Sequence, residues 1–206
     1  MKTTLERTLS VKEAALTRRS IRKFKPEPIP REHLEEILSL ALKAPSSNNL
    51  QPWRVAVVQE PQLKERLREA ANNQTQVGSA PTVFVVYSDM KDTLERLEET
   101  MHSGFSDEQK QTRAAGTRKA WEARSEEERE TFGKGQAYIL LGYLVLIARS
   151  FGYDTVPMGG FNAGKVKELL NLPAHVAVAA LLPIGIADEE GRAHHRHDLE
   201  RVVTWM

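Results

Sequence analysis

The run AYILLGYLVLIA, Ala137 to Ala148, is the longest apolar stretch in the chain. A helix built from it is apolar all round, and such a helix must be enclosed. At about a dozen residues the run is shorter than the roughly 20 that a bilayer crossing needs. It therefore predicts a buried helix over 136–150, ended at Gly152 by the residue type that most readily closes a helix. Whatever this chain folds into has to wrap other elements around that helix.

Two segments are suited to the task. TVFVVY (82–87) and HVAVAALLPIGIA (175–187) are almost continuously apolar, as strands buried on both faces are. RVAVV (54–58) is a third strand candidate. Ser10 followed by Glu13 forms a capping box that starts a helix running through Leu16. Leu34, Ile37, Leu38, Ala41 and Leu42 recur at helical spacing over 33–44, and Pro45 stops the pattern. PQLKERLREAANN (61–73) reads as an amphipathic helix and AGKVKELLNL as a short one. Residues 89–135 are polar and charged, and predict one or two exposed helices around a turn at SGFSD. DLERVVTWM is a C-terminal arm (198–206), of which LERVVTWM could pair as a strand. Helices around a few buried strands give a layered α+β domain, with 1–206 as one unit.

The 206 residues carry 29 Lys and Arg against 28 Asp and Glu, with no long run of one sign. That balance argues against a general nucleic-acid partner or a polybasic membrane role. There is no cysteine, which excludes disulfides, thiolate metal sites and a cysteine nucleophile. The first residues, MKTTLERTLSVKEAAL, hold no apolar signal-peptide core. A cytoplasmic protein with no membrane partner is the expectation.

Five separated polar segments stand out. TRRSIRKF gathers Arg18, Arg19 and Arg22 around Ser20, and guanidinium forks match phosphate oxygens. The same cations also suit a helix C-terminus. PSSNNLQPW packs Ser46, Ser47, Asn49 and Gln51 into one connection, far more hydrogen-bonding capacity than a turn requires. NNQTQ holds Asn73 and Gln76. VPMGGF holds Pro157, Met158, Gly159 and Gly160, where backbone can approach a flat ligand closely. GRAHHRHD holds His194 and Arg196; its adjacent histidines do not share a face, so no metal site is expected. Each segment alone is ordinary. There is no G-x-G-x-x-G, no phosphate-binding G-x-x-x-x-G-K-[ST] and no G-x-S-x-G. Several weak polar sites with no autonomous catalytic device suit a protein that holds a cofactor.

Taken in order, RRSIRKF, APSSNNLQPW, NNQTQVGSAP, VPMGGF and a basic segment before LERVV resemble the FMN-dependent nitroreductase family over nearly the whole chain. The resemblance implies an α+β fold with a central, mostly antiparallel sheet flanked by helices. It also implies an intertwined homodimer with FMN at the subunit interface, and NADH or NADPH as electron donor. Arg18, Arg19 and Ser20 would then hold the phosphate and ribityl chain, with Arg196 and His194 closing that site. Arg22 would stand at the pyrimidine edge. Ser46, Ser47 and Asn49, aided by Gln51, would reach in from the other subunit. Asn73 and Gln76 would bond the pyrimidine or the ribityl hydroxyls. Pro157, Met158, Gly159 and Gly160 would lie along the ring system, with the Gly159 N–H near its N5.

This sequence departs from better-known members at Gly159, often acidic there, at Gln76, sometimes Lys, and at His194, where some have Lys. The 89–135 segment usually shapes the substrate pocket, and Trp121 is the candidate wall. The implied activity is ping-pong transfer to nitroaromatic, quinone or similar acceptors, with no side chain acting as nucleophile. Two alternatives share the same contacts: a non-catalytic flavin-binding module, and a reductase or dehydrogenase of another small acceptor.

Overall fold

The computed structural model describes residues 8–206. Four strands form one antiparallel sheet: β1 (Trp53–Val58), β2 (Thr82–Ser88), β3 (Asp154–Thr155) and β4 (Ala177–Gly185), in the order β1-β2-β4-β3. The nearly unbroken apolar sequence of β2 follows from its central place. Phe84 and Val86 point into the core shared with α2 (Arg31–Ala41) and α7 (Glu126–Ser150). Val83 and Val85 point into the opposite core, against α3 (Pro61–Ala70), α4 (Thr75–Ser79) and α8 (Ala163–Leu169). Side chains alternate across a strand, so a strand covered on both faces has to be apolar at every position.

The alternation in β4 slips once. The register shifts between Val86 and Tyr87, which face Ala180 and Val178, leaving Ala179 as the extra residue of a bulge. Ala179 and Ala180 therefore both join the α7 side. The Tyr138 hydroxyl donates to the Ala179 carbonyl at 2.9 Å, so the bulge fixes a side chain of α7.

The central helix differs from its expected bounds. It begins at Glu126, ten residues earlier than the apolar run indicates, because Ser125 and Glu128 form a second capping box and Glu126, Glu127 and Glu128 all sit in the first turn. At 25 residues it is long and apolar enough to cross a membrane by length and composition, which corrects the argument from shortness. Ala137, Leu140, Leu144 and Ala148 are fully buried against the sheet.

The polar excursion is shorter than expected for the same reason. It comprises α5 (Met90–Glu95), a 3₁₀ turn at Leu97–Thr100, and α6 (Asp107–Glu122), started by the Ser106 and Gln109 capping box. It has its own small core of Leu50, Met90, Leu94, Leu97, Ala114 and Trp121. α1 (Val11–Thr17) is capped by Ser10 and Glu13 as the sequence indicates. The C-terminal arm is not a strand: it forms α9 (Leu199–Val202) and then chain with no ladder partner among the described residues.

Candidate functional site

The basic segment after α1 is laid beside β3. Ser20 forms a parallel bridge with Thr155, and the Ile21 N–H donates to the Thr155 carbonyl at 3.2 Å. Arg18 Nη2 donates to Ser20 Oγ at 3.3 Å. Arg18 Nε is buried and has no partner among the described residues. Burial lowers the Arg18 pKa, the charges of Arg196 and Arg19 lower it further, and Asp154 opposes them.

The C-terminal basic loop folds onto the same place. Arg19 Nη1 donates to the carbonyls of Leu16 and Arg18, and lies 3.4 Å from both ring nitrogens of His194. Gly191 makes this approach possible. Its φ is +72°, and a Cβ there would stand 2.8 Å from Arg19 Cβ and from Ile21 Cδ1. The His194 imidazole is held below its ordinary value by lost hydration and then by Arg19, Arg196 and Arg18. Three arginines and a histidine packed together, one with a buried donor unspent, fit a multiply charged oxyanion such as a phosphate ester. Arg22 is anchored differently: its N–H donates to Glu189, and its guanidinium to the Ser20 carbonyl at 3.3 Å.

Arg18, Ser20 and Pro157 line a cavity of about 570 Å³ whose other wall is α7, through Tyr138, Gly142 and Leu146. Beyond Pro157 the backbone is clamped. Met158 exchanges hydrogen bonds with Leu181 at 2.8 and 3.0 Å, and its buried side chain belongs to the core, leaving backbone rather than thioether to meet a ligand. Gly160 presents its carbonyl to Gln74 Nε2 at 2.8 Å and to Asn72 Nδ2 at 3.1 Å. Gln76 Nε2 continues the chain to Gln74 Oε1 at 3.0 Å. Asn73, at φ 56°, turns the backbone so that its carbonyl accepts from Arg68 at 3.4 Å. Asn72 and Gln74 are thus the amides that touch the glycine loop. The sequence reading passed over them in favour of Asn73 and Gln76, and only the alternating amides of NNQTQ hinted at them. A Cβ on Gly159 would meet nothing within 4 Å, so packing does not demand glycine there.

The 45–53 loop is strained and tightly tied. Asn48, Asn49 and Gln51 have φ of 51°, 56° and 47°, each costing about 1 kcal/mol outside glycine. Gln51 N–H donates to Ser46 Oγ at 3.0 Å, and Gln51 Nε2 to Asn49 Oδ1 at 3.1 Å. Asn49 Nδ2 donates to the Thr100 carbonyl at 2.7 Å, and Gln136 Oε1 on α7 accepts from the Ser47 N–H at 2.9 Å. Such strain persists only where the surroundings over-determine it.

Ser47 and Asn48 line a second cavity of about 460 Å³ with Trp121, Arg124 and Phe132. Trp121 packs against Phe132 at 4.5 Å between ring centroids, and the Arg124 guanidinium covers its ring at 4.3 Å. The wall of that cavity is therefore a stacked set, with Trp121 itself mostly inside. The two cavities share no lining residue within one chain.

A third polar group was not singled out in the sequence. His175 Nε2 lies 2.9 Å from Asp89 Oδ1, and ligand atoms of Asp89, Glu130 and His175 fall within 4.8 Å of one another. Glu130 is already engaged: Ser88 Oγ and the Met90 N–H donate to its two oxygens at 2.8 and 2.9 Å. The group ties β2, α5, α7 and the approach to β4 together.

The chain is similar to known proteins over nearly its whole length. A Thermus thermophilus protein named NADH dehydrogenase is 46% identical over 197 residues, covering 96% of each chain. A Bacillus subtilis protein, YdgI, provisionally named an NAD(P)H nitroreductase, is 36% identical over 196 residues, covering 91% of this chain and 93% of its own. Among solved structures, one described as a nitroreductase from Exiguobacterium sibiricum in complex with FMN superposes with a TM-score of 0.87 at 28% identity, over 97% of this chain and 99% of that one. Residues 15–186 match the sequence profile of the Nitroreductase family. With that match spanning most of the sequence and relatives aligned nearly end to end, the chain belongs to the nitroreductase family.

Proposed function

We propose that this chain is an FMN-dependent oxidoreductase. It takes reducing equivalents from NADH or NADPH and passes them to a small acceptor such as a nitroaromatic or a quinone. It works as a homodimer, each chain forming a single FMN-binding domain. The observation that carries the reading is the cavity between Arg18, Ser20 and Pro157, with a buried guanidinium nitrogen unspent inside a cluster of like charges. Those residues fit a flavin phosphate.

Bound FMN would supply reversible hydride chemistry at its ring. The chain's own residues do the rest. Arg18, Arg19, Ser20, His194 and Arg196 grip the phosphate. The backbone of Pro157 to Gly160, braced by Asn72, Gln74 and Gln76, offers amide groups along the ring, with Asn73 setting the turn. Arg22 supplies positive charge at the pyrimidine edge, where reduction places negative charge. Ser46, Ser47, Asn49 and Gln51 complete the site from the partner chain; within one chain Ser47 lines the cavity beside Trp121 and not that of Arg18. The cavity beside Trp121 takes the acceptor. Donor and acceptor use the same space in turn, giving ping-pong kinetics.

The dimer rests on α7. Its outer face exposes Tyr138, Ile139 and Tyr143, and a Cβ added at Gly135 or Gly142 would meet nothing within 4 Å among the described residues. An apolar helix face of this kind suits packing on a two-fold copy. The cytoplasm, where reduced nicotinamide nucleotides are held, is the setting this reading requires.

The test is a visible spectrum of the purified chain with added FMN, followed by anaerobic NADH or NADPH. A bound yellow flavin that bleaches supports the proposal. Binding without bleaching would leave a non-catalytic flavin module, and a chain that stays colourless would sink the reading altogether.

A further inference from the structure

Arg149, in the last turn of α7, and Asp154, five residues on, form a largely shielded ion pair beside the phosphate segment. Arg149 Nη1 donates to both oxygens of Asp154, at 3.0 and 3.1 Å. The pair is mostly shielded, the Asp154 side chain being 11% exposed and that of Arg149 24%. Arg149 has a second engagement: its Nε donates to Thr17 Oγ1 at 3.1 Å. Thr17 is the last residue of α1, and Arg18 is its C-cap. Asp154 is also the first residue of β3, whose next residue, Thr155, holds Ser20 and Ile21.

We propose that Asp154 is a positioning residue for Arg18, acting through Arg149 and Thr17 to aim the arginine at the phosphate. The segment 17–21 is pinned at both ends by neighbouring residues of one strand: at Thr17 through the Asp154–Arg149 pair, and at Ser20–Ile21 through Thr155. Between those pins the Arg18 side chain bonds Ser20 Oγ and keeps a buried Nε with no partner among the described residues. A long, like-charged side chain of this kind would otherwise swing toward solvent, away from Arg19 and Arg196. The charge of Asp154 also sustains that of Arg18 against burial.

This inference rests on the flavin reading above, and its sign makes it testable apart from it. Asp154 is anionic and close to the phosphate site, so by direct electrostatics alone its removal would tighten FMN. Positioning predicts the reverse. Binding of FMN and of riboflavin, which lacks the phosphate, is followed by flavin fluorescence on the full chain stripped of flavin. Asp154→Asn is expected to raise the FMN dissociation constant about tenfold, the size of one charge-assisted hydrogen bond, and to leave riboflavin within about twofold. Thr17→Val keeps the ion pair and removes the link, along with the hydroxyl's own bond to the Glu13 carbonyl inside α1, and should give a smaller loss with the same preference for FMN; it decides the matter if Asp154→Asn does not fold. Equal losses for both ligands would indicate a merely structural role and overturn the proposal, as would FMN bound as tightly as before or more tightly. A wild-type chain that binds neither ligand defeats the flavin reading itself.

Discussion

The guanidinium of Arg19 lies 3.4 Å from both ring nitrogens of His194, joining the start of the chain to a loop that follows the last strand. A guanidinium and an imidazole in contact are poised for an anionic acceptor between or beside them. Because lost hydration and three arginines hold the His194 pKa below its ordinary 6.5, the free chain carries a neutral imidazole at neutral pH. A phosphate arriving there raises that pKa, so binding takes up a proton. FMN affinity should therefore improve as pH falls through 6.5 and toward the depressed value. For the free chain the sign is opposite: the unfolded state binds the proton more readily in this window, so His194 subtracts stability as pH falls. His194→Gln should flatten the pH dependence of FMN binding between about pH 5 and 7.5, measured by fluorescence titration. An unchanged slope would remove His194 from the phosphate site.

Gly191 makes the same contact possible, and its replacement separates that contact from overall stability. At φ +72° with Arg19 Cβ 2.8 Å from the added atom, Gly191→Ala brings a left-handed penalty of about 1–2 kcal/mol and a clash with a backbone-proximal atom. The loop, being at the surface, is expected to lift away rather than unfold the core. FMN affinity should drop severalfold while the thermal midpoint of the flavin-free chain moves by only a few degrees. A variant that binds FMN like the wild type would show that the loop takes no part.

Glu130 offers a prediction about stability. Burial raises its pKa, with Asp89 adding to the effect, while the Ser88 hydroxyl, the Met90 N–H and His175 oppose it. A carboxyl whose folded pKa lies above the ordinary 4.5 gives most stability below 4.5 and loses it as pH rises through the folded value. Ser88→Ala removes one donor to the carboxylate, and should destabilise the chain by about 1–3 kcal/mol at neutral pH. The deficit should narrow as pH approaches 4.5, where the protonated carboxyl no longer needs that donor. Urea unfolding at the two pH values measures this, and an equal deficit at both would mean that Glu130 is not the partner that matters.

The parts of this architecture that were legible in sequence are those where a single local constraint dominates. β2 and β4 are readable because burial on both faces leaves no polar position, and α1 because Ser10 and Glu13 cap it. The first ten residues of α7 were missed because TFGKGQ breaks the apolar pattern, with Gly133 serving tertiary fit. A Cβ there would lie 2.8 Å from Met90 Cγ and 2.9 Å from Ser88 Oγ. In the site, the cations were legible as residue types in a fixed order. Their geometry was not. Gln74 reaches Gly160 only because Asn72 and Asn73 both take positive φ. Asp154 and Arg149 meet only because Gly152, at φ 81°, reverses the chain between them. Pairings made by a turn are invisible until the turn is known.

The outer face of α7 provides the sharpest test of the dimer, because a Cβ added at Gly142 would meet nothing within 4 Å among the described residues beyond its own helix backbone. The first carbon of a Gly142→Leu side chain is therefore free of steric cost inside one protomer, and exchanging glycine for a strong helix former in mid-helix favours the helix by about 1 kcal/mol. A folding defect is not expected. If the face packs on a second copy, the same side chain becomes a wedge where two helices approach closely, and close-packed interfaces accommodate an added leucine poorly. Gly142 also lines the cavity of Arg18, Ser20 and Pro157, so a displaced partner should open the site to water. Sedimentation should then show a single-chain mass near 23.2 kDa in place of twice that, with FMN affinity reduced at least tenfold and the secondary structure intact. A variant that keeps the doubled mass and the flavin would place the subunit contact on some other surface, and with it the source of the 45–53 loop that completes the site.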